Sequence, residues 1–368
     1  MTSGPQHTAL PLDLTVPIIA GPMAGGPSTP ALAAAVSRAG GLGFLGEGYA
    51  TPQRIRDDIR AVKAATDRPF GVNLFVPVPI DIDRRQIEAA IALLAPYRRE
   101  FGLPAQTVPA SFTQDYDQQV AVVLEEQVPV FTTTFGLPGA HLVEALRRGG
   151  TAVGATATTP EEAQAGADVG VDFIVAQGSE AGGHRGTFLT TSGDDLIGTA
   201  ALVPQVVDAT GLPVVAAGGL VDGRGIRAAL ALGASAAQLG TAFLLCPEAG
   251  TSDPYREAVR TATASDTLIT RAFSGRRARG IVNRFALDLR EADLPPYPVM
   301  NALTTEIRRA CAASGDSSCL SLWAGQGVGL VRELPAEELV GVLAAEARQD
   351  PASHPAREPG RVLAEDLP

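Results

Sequence analysis

Residues 212–246 read LPVVAAGGLVDGRGIRAALALGASAAQLGTAFLLC, and this stretch decides the fold. An apolar run at residues 214–217 is followed by a glycine pair, by Asp222 and by an alanine-rich segment with helical spacing. A second apolar run follows at residues 237–243. A strand, a capped helix and another strand in this order predict a βαβ unit, in which the two strands lie parallel in one sheet.

The same alternation recurs from residue 16 onward. β-prone runs occur at residues 16–20, 42–45, 70–76, 130–134, 151–155, 173–176, 214–217 and 237–243. Helix-like or variable sequence follows each run, and Ser28, Thr51, Thr159 and Asp222 are expected to cap helices. Eight such repeats predict an α/β protein whose strands close into a TIM (β/α)8 barrel, with a doubly wound open sheet as the alternative.

Two regions are too long for simple barrel connections. Residues 77–128 predict two helices joined by a proline-containing loop, and residues 247–348 predict an additional C-terminal helical segment. We therefore expect a barrel domain at 1–246, a segment at 247–348 that packs on the barrel and covers the site, and a loosely ordered tail at 349–368.

Composition excludes several classes of protein. A net charge of −11 and a pI near 4.9 argue against binding to nucleic acid or anionic membranes, which requires a continuous basic face. The three cysteines, Cys246, Cys311 and Cys319, are widely spaced and indicate neither a disulfide framework nor a metal site. The N-terminus lacks the pattern of a signal peptide. One uncharged stretch, residues 228–246, is about long enough to span a bilayer, but glycine and polar residues interrupt it, so a soluble, cytoplasmic protein is expected.

Glycine-rich loops follow several predicted strands, at the end where a barrel builds its site. The sequence GPMAGG at residues 21–26 follows the first strand, and AGG at 217–219 and QLGT at 238–241 end the last two strands. Backbone amides of the last two loops, with the Thr241 hydroxyl, predict a phosphate site that needs no lysine. The alternative is that these glycines only ease the packing of helices against the sheet.

The loop at residues 177–186, QGSEAGGHRG, combines an amide, a carboxylate, a histidine and an arginine with four glycines. His184 is a candidate acid or base near neutral pH, the alternative being a solvated loop histidine. Asn73 is a lone amide in an apolar strand and must hydrogen-bond, either to a ligand or within the core. Residues 274–280 are expected on a solvated helix face and Trp323 in a structural turn, while Tyr297 is a candidate pocket residue.

Taken together, these motifs resemble the nitronate monooxygenases, formerly called 2-nitropropane dioxygenases. The resemblance covers about residues 16 to 330, and EAGGHRG at 180–186 is its most specific element. GFLG at 43–46, GVNLF at 71–75, FSGR at 273–276 and WAGQ at 323–326 extend it along the chain.

The resemblance implies an oxidoreductase that binds FMN without a covalent bond. Such an enzyme oxidises alkyl nitronates, or neutral nitroalkanes, with O2 to a carbonyl compound and nitrite. It implies that His184 is catalytic and that Asn73 and Gln177 contact the flavin ring, while Tyr297 is the candidate substrate-binding residue from the sequence itself. The remaining cofactor-binding residues implied are Pro22, Met23, Ala24, Gly182, Gly183, Gly218, Gly219, Gln238, Gly240 and Thr241.

One departure from the family concerns Lys63, the only lysine, which falls in a predicted outer helix and cannot serve a substrate pocket. FMN-dependent enoyl-acyl-carrier-protein reductases and NADH:quinone reductases share the Glu-Ala-Gly-Gly-His core but need NAD(P)H. A phosphate-binding barrel without redox chemistry, such as an isomerase or a binding protein, leaves His184 and Gln177 unexplained. The physiological substrate and the oligomeric state are not predicted.

Overall fold

The computed structural model describes residues 9–79, 83–189 and 196–349, and most of the predicted tail lies outside these residues. The strands are β1 (Ile18–Ala20), β2 (Gly43–Gly46), β3 (Phe70–Phe75), β4 (Val130–Thr134), β5 (Ala152–Ala157), β6 (Phe173–Gln177), β7 (Gly183–His184), β8 (Val214–Ala217), β9 (Ala236–Leu239), β10 (Thr267–Thr270) and β11 (Ala278–Ile281).

Eight strands form one parallel sheet in the order β1-β9-β8-β6-β5-β4-β3-β2. A parallel bridge between Ile19 and Leu42 joins the two ends of this order, and the Ala20 amide donates to the Leu42 carbonyl over 2.9 Å. The sheet therefore closes, which confirms the predicted TIM barrel and excludes the open doubly wound sheet.

Helices alternate with the barrel strands in the βα order that the sequence predicts, and four more helices of the described chain follow the last barrel strand. They are α1 (Pro30–Arg38), α2 (Pro52–Ala65), α3 (Arg84–Glu100), α4 (Tyr116–Glu125), α5 (Ala140–Arg148), α6 (Pro160–Val169), α7 (Thr199–Thr210), α8 (Gly223–Ala231), α9 (Asp253–Thr261), α10 (Arg284–Asp288), α11 (Val299–Ala313) and α12 (Ala336–Arg348). The two helices expected between residues 77 and 128 are α3 and α4.

The predicted caps of α2, α6 and α8 are confirmed, but the cap of α1 is one residue later than expected. The Thr29 hydroxyl accepts the Leu32 amide over 3.1 Å, which makes Thr29 the N-cap. Ser28 instead accepts the Met23 amide over 2.8 Å and thereby fixes the loop that follows β1.

The last predicted strand is wrong beyond Leu239. After Gly240 the chain enters a short 3₁₀ turn at Thr241–Phe243, in which the Phe243 amide donates to the Gly240 carbonyl over 3.0 Å. The run is apolar because Phe243 is buried, and an apolar run alone does not distinguish a strand from a buried turn.

Large side chains fill the barrel. Phe44 and Phe173 point into it and are almost fully buried. A Cβ added to Gly154 would lie 2.4 Å from the Phe173 ring, and one on Gly71 would lie 2.2 Å from the Phe44 ring. Glycine at these two strand positions therefore makes the room that the aromatic rings occupy.

The chain after the last barrel strand contributes to two parts of the structure, the outer helical layer of the barrel and a second hydrophobic core. Helix α12 packs on α1 and α8, so the outer layer of the barrel includes a helix from the segment predicted to begin at residue 247. The rest of this segment, with α3, forms a second hydrophobic core. It also contains β10 and β11, two strands that the expectation of helical sequence missed, and these form an antiparallel sheet with β7.

No helix among the described residues is long and apolar enough to cross a membrane.

Candidate active site

The predicted cofactor residues lie at the carboxyl ends of the barrel strands. Pro22, Met23 and Ala24 follow β1, and a Cβ added to Gly46 at the end of β2 would lie 2.7 Å from the Ala24 amide nitrogen. A Cβ added to Gly240 would have no neighbour nearer than the Met23 Sδ at 3.8 Å. The loop after β1 is thus fixed against β2, while space remains between it and the loop after β9.

The loops after β8 and β9 present backbone donors. The amides of Gly219, Gly240 and Thr241 donate no hydrogen bond to the described part of the chain. Gly218 and Gly219 have φ values of 120° and 71°, which favour glycine. The Thr241 hydroxyl accepts the Gly325 amide over 3.0 Å and keeps its own proton to donate. Small residues and free donors of this kind fit a phosphate group.

Gln238 adds an amide at the same rim. Its side chain is half-buried in β9, lies against Gly21, and makes no hydrogen bond to any described residue. A polar side chain in this position can form hydrogen bonds with the part of a cofactor that lies beyond its phosphate group.

Gln177 and Glu180 hold the loop that carries the EAGGH motif. The Gln177 Nε2 donates to the His184 carbonyl over 3.0 Å, and the Gln177 Oε1 accepts the backbone amide of Gly186 over 2.8 Å. The Glu180 carboxylate accepts the backbone amide of Thr199 over 2.9 Å and its hydroxyl over 2.9 Å, and so caps α7. Both polar side chains are therefore engaged in fixing the loop.

Gly182 and Gly183 lie in the same loop but face different surroundings. A Cβ on Gly182 would meet the Gly325 nitrogen at 2.6 Å, whereas one on Gly183 would meet nothing within 4 Å. The segment after Trp323 therefore packs tightly on the loop at Gly182, and Gly183 faces open space.

Asn73 is buried, at 2% exposure, and its amide is engaged by β4. Its Nδ2 donates to the hydroxyls of Thr132 over 3.0 Å and of Thr134 over 3.2 Å. This arrangement matches the core alternative left open by the sequence, and contact with a cofactor ring stays a prediction.

His184 is not a solvated loop residue, because it lies in β7 and pairs with Ala278 of β11. Its ring centre lies 5.6 Å from that of Phe135, 5.9 Å from that of Tyr297 and 5.4 Å from that of Trp323. Its Nε2 lies 2.8 Å from the Ser274 hydroxyl. Three aromatic rings thus enclose the imidazole and one hydroxyl fixes it.

Burial lowers the pKa of His184 from 6.5 to about 3, and the nearby positive charges of Arg276 and Arg308 lower it further in the same direction. The expectation of a histidine that titrates near neutral pH is therefore wrong. The imidazole is uncharged at pH 7.

Two guanidinium groups lie near His184 without a carboxylate partner among the residues described. Arg276 lies with its guanidinium carbon 4.0 Å from the centre of the Phe135 ring and donates to the carbonyls of Arg185 and Thr187. Arg308 donates to Asn301, over 3.0 Å to its carbonyl and 2.9 Å to its side-chain oxygen. Burial lowers the pKa of Arg276 to about 10, which still leaves it charged at pH 7.

The solvated helix face expected at residues 274–280 is therefore wrong. Arg276 packs over an aromatic ring, and β11 begins at Ala278, because the chain pairs with β7 instead of forming a helix.

Two tyrosines lie beside these guanidiniums. Tyr297, the candidate substrate residue, is 8% exposed, and its phenol lies beside the buried hydroxyl of Tyr49. Burial raises the pKa of Tyr49 to about 12 and raises that of Tyr297 as well. Both phenols are protonated at neutral pH and can donate hydrogen bonds to an anion.

Sequence reasoning missed most of this pocket. It placed only His184 and Tyr297 in a pocket, whereas Ser274 and Arg276 were expected on a solvated face and Trp323 in a structural turn. The residues that complete the wall are Tyr49, Phe75, Phe135, Ser274, Arg276, Arg308 and Trp323. Phe135 has a φ of 73°, a rare conformation for a phenylalanine, but this is visible only in the structure.

Other charged groups lie elsewhere. Lys63 contacts Glu126 on the outer helices, as its predicted position implies, so a lysine does not reach the pocket. In the described ranges, no group of histidine, cysteine, aspartate and glutamate could hold a metal ion.

Comparison with known proteins identifies relatives along nearly the whole chain. The nitronate monooxygenase family profile matches residues 8–346. A probable nitronate monooxygenase of Staphylococcus aureus (strain Newman) is 43% identical over 332 residues, which are 89% of this chain and 93% of that protein.

Two solved structures are similar over most of their length. Nitroalkane oxidase from Streptomyces ansochromogenes has a TM-score of 0.86 and 45% identity, with 91% of this chain and 96% of that chain covered. FabK from Thermotoga maritima has a TM-score of 0.71 and 32% identity, with 92% and 94% covered.

Proposed function

This chain belongs to the nitronate monooxygenase family, and from that premise we propose that it oxidises alkyl nitronates with O2, using bound FMN. The products are a carbonyl compound and nitrite. The nitroalkane oxidase activity named for its structural relative supports a nitro compound as the substrate class.

The observation that carries the proposal is the pair of charged guanidiniums, Arg276 and Arg308, close to His184. A buried charge without a counter-ion is unfavourable, so such a site favours an anionic ligand that supplies the missing charge. A nitronate is a small anion with two oxygen acceptors. The phenols of Tyr49 and Tyr297 add donors for those oxygens, and the rings of Phe135 and Trp323 exclude water.

The rim beside this pocket fits FMN. The free amides of Gly219, Gly240 and Thr241 would hold the phosphate, and Gln238 and Met23 would lie along the rest of the molecule. FMN held there would supply the electron acceptor for oxidation of the substrate, with O2 as the final acceptor. Asn73 and Gln177 are the predicted contacts of the flavin ring and lie at the same rim. The side-chain nitrogen of each already donates a hydrogen bond within the protein.

The segment after the barrel supplies much of the pocket. The segment predicted at residues 247–348 contains Arg276, Tyr297, Arg308 and Trp323, which supports the proposal that this segment covers the site. Substrate recognition then depends on the added segment, and cofactor binding depends mainly on the barrel.

The lowered pKa of His184 supports a nitronate over a neutral nitroalkane. A base with so low a pKa removes a proton from carbon poorly, and a nitronate already lacks that proton. An anion bound beside the imidazole raises the pKa of His184, because its charge offsets those of Arg276 and Arg308. His184 then takes up a proton only when substrate is present and stabilises negative charge on it.

Anaerobic mixing of the FMN-loaded protein tests this function. We expect propyl-2-nitronate to bleach the flavin rapidly, while 2-nitropropane, NADH and NADPH do so slowly. Rapid bleaching by a reduced nicotinamide with none by the nitronate would instead favour an enoyl or quinone reductase. A purified protein that binds no FMN would favour a barrel without redox chemistry.

The role of His184 is tested by His184→Asn. Fold and FMN content should be retained while turnover of nitronate falls roughly 10²–10⁴-fold. A larger defect with neutral nitroalkane than with nitronate would assign proton abstraction to His184, and equal defects would assign electrostatic positioning. Wild-type rates with both substrates would exclude a catalytic role.

A further inference from the structure

Ser274 has a side chain whose hydroxyl contacts three groups at once. Its Oγ lies 2.8 Å from the His184 Nε2, 3.1 Å from the Arg276 carbonyl oxygen and 3.3 Å from the Arg276 amide nitrogen. The side chain is 1% exposed, so water does not compete for these contacts.

The proton on this hydroxyl can be placed by counting donors and acceptors. The Arg276 amide only donates and its carbonyl only accepts, and the serine has a single proton to give. If that proton went to His184, the Arg276 carbonyl would lose the one donor that it has among the described residues. All three contacts of the hydroxyl are satisfied only when Ser274 donates to the carbonyl and accepts hydrogen bonds from the Arg276 amide and from His184 Nε2.

The turn that carries Ser274 fixes the hydroxyl in place. Gly275 has a φ of 78°, and a Cβ there would lie 2.2 Å from the Pro295 carbonyl oxygen, so only glycine fits. The Gly275 amide donates to the Arg271 carbonyl over 2.8 Å, and the Thr304 hydroxyl holds the Phe273 carbonyl over 2.5 Å. The hydroxyl is therefore a pre-positioned partner for the imidazole.

We propose that Ser274 is a positioning residue that fixes His184 in the tautomer with the proton on Nε2 and thereby leaves Nδ1 as the nitrogen that takes up a proton when an anionic substrate binds. No described residue forms a hydrogen bond with Nδ1. The imidazole is uncharged, so exactly one of its nitrogens holds a proton and the other accepts. The catalytic part of this inference rests on the proposed function, whereas the tautomer itself does not.

The charged and titratable groups that face the imidazole are consistent with this assignment. Arg276 and Arg308 only donate protons, and the phenols of Tyr49 and Tyr297 remain protonated at neutral pH. These hydrogen-bond donors and positive charges favour an unprotonated nitrogen over a protonated one, so an unprotonated Nδ1 is compatible with its surroundings.

The tautomer is tested by NMR on the full chain labelled with ¹⁵N-histidine, with and without FMN, at pH 7. A protonated and an unprotonated imidazole nitrogen resonate in separate ¹⁵N regions, and His184→Asn assigns the signal. We expect Nε2 to bear the proton in the wild type and in Ser274→Thr, which keeps the hydroxyl. We expect a mixture of tautomers in Ser274→Ala. A wild type protonated on Nδ1, or an unchanged tautomer in Ser274→Ala, would overturn the inference.

Kinetics with a nitronate provide the second readout. Ser274→Ala should lower kcat by roughly 10²-fold, a typical effect of a misplaced catalytic group, and leave KM and FMN content unchanged. Ser274→Thr should restore most of kcat, and Ser314→Ala, an exposed serine, should have no effect. A raised KM with an unchanged kcat would assign Ser274 to binding and overturn the positioning role.

These outcomes separate the inference from the proposed function. A wild-type protein with Nε2 protonated but no turnover of nitronate would leave the tautomer assignment intact and reject the function. A wild-type protein that turns over nitronate but has the proton on Nδ1 would support the proposed function and reject the tautomer assignment.

Discussion

The guanidinium carbon of Arg276 lies 4.0 Å from the centre of the Phe135 ring. The same ring lies edge-on to His184, so the charge, the aromatic wall and the imidazole belong to one cluster. A cation held on an aromatic face keeps its charge without a carboxylate partner. This arrangement leaves the charge of Arg276 available to an anionic substrate.

Arg276→Gln should weaken substrate binding. Loss of a charged hydrogen bond of about 1.5–3 kcal/mol raises the KM for a nitronate about 10- to 150-fold. Steady-state kinetics with propyl-2-nitronate measure the change, and Arg290→Gln, which removes an exposed arginine, is the matched control. An unchanged KM would place the substrate anion elsewhere.

Gly240→Glu should release FMN, because the carboxylate would occupy the space beside Met23 with the same charge as the phosphate. The flavin absorbance that remains after gel filtration measures FMN retention. Gly341→Glu adds the same charge at an exposed position of α12, where a Cβ meets nothing within 4 Å, and should retain the cofactor. Full FMN content in Gly240→Glu would contradict the assigned phosphate site.

The lowered pKa of His184 makes stability depend on pH. The unfolded chain binds a proton at this residue with a pKa of about 6.5, but the folded chain only at about 3. The contribution of His184 to stability is therefore complete above pH 6.5 and decreases as the pH falls toward 3, by at most about 1.4 kcal/mol per pH unit. Urea denaturation between these pH values measures it.

The matched comparison for this pH dependence is His184→Asn. The variant cannot titrate at this position, so its free energy of unfolding should decrease less steeply with falling pH than that of the wild type. Parallel curves for the two proteins would show that His184 is not buried in its uncharged form.

Glu162 should stabilise the segment that binds Arg276. Its carboxylate is fully buried and accepts the amide and hydroxyl of Thr158, each over 2.7 Å, and the amides of Phe188 and Leu189. In Glu162→Gln one acceptor becomes a donor, so the free energy of unfolding should decrease by about 2–3 kcal/mol. Urea denaturation measures this, and Glu161→Gln, at an exposed neighbouring position, should change it little.

Much of the fold could be predicted because barrel strands and their caps are local in sequence. The apolar run at 214–217 and the cap at Asp222 fall where the structure has them. The boundary at Phe243 could not be predicted, since a buried 3₁₀ turn and a buried strand have the same composition. Strands β10 and β11 were missed because the sheet that they form depends on the pairing of β11 with β7, which is distant in sequence, while β10 pairs only with β11.

The sequence by itself determined the alternation of strands and helices, the glycine-rich loops at one end of the barrel and the resemblance carried by EAGGHRG. These are local patterns, and local chemistry specifies them. Only the tertiary structure decided which residues form the pocket around His184. In SGRRARG the arginines look alike, yet Arg276 lies over Phe135 and Arg279 donates to the Ser179 carbonyl over 2.9 Å. Burial and pairing of charges depend on residues from distant parts of the chain. The lowering of the pKa of His184, and the placement of Arg276 beside it without a carboxylate, therefore arise only when the chain folds.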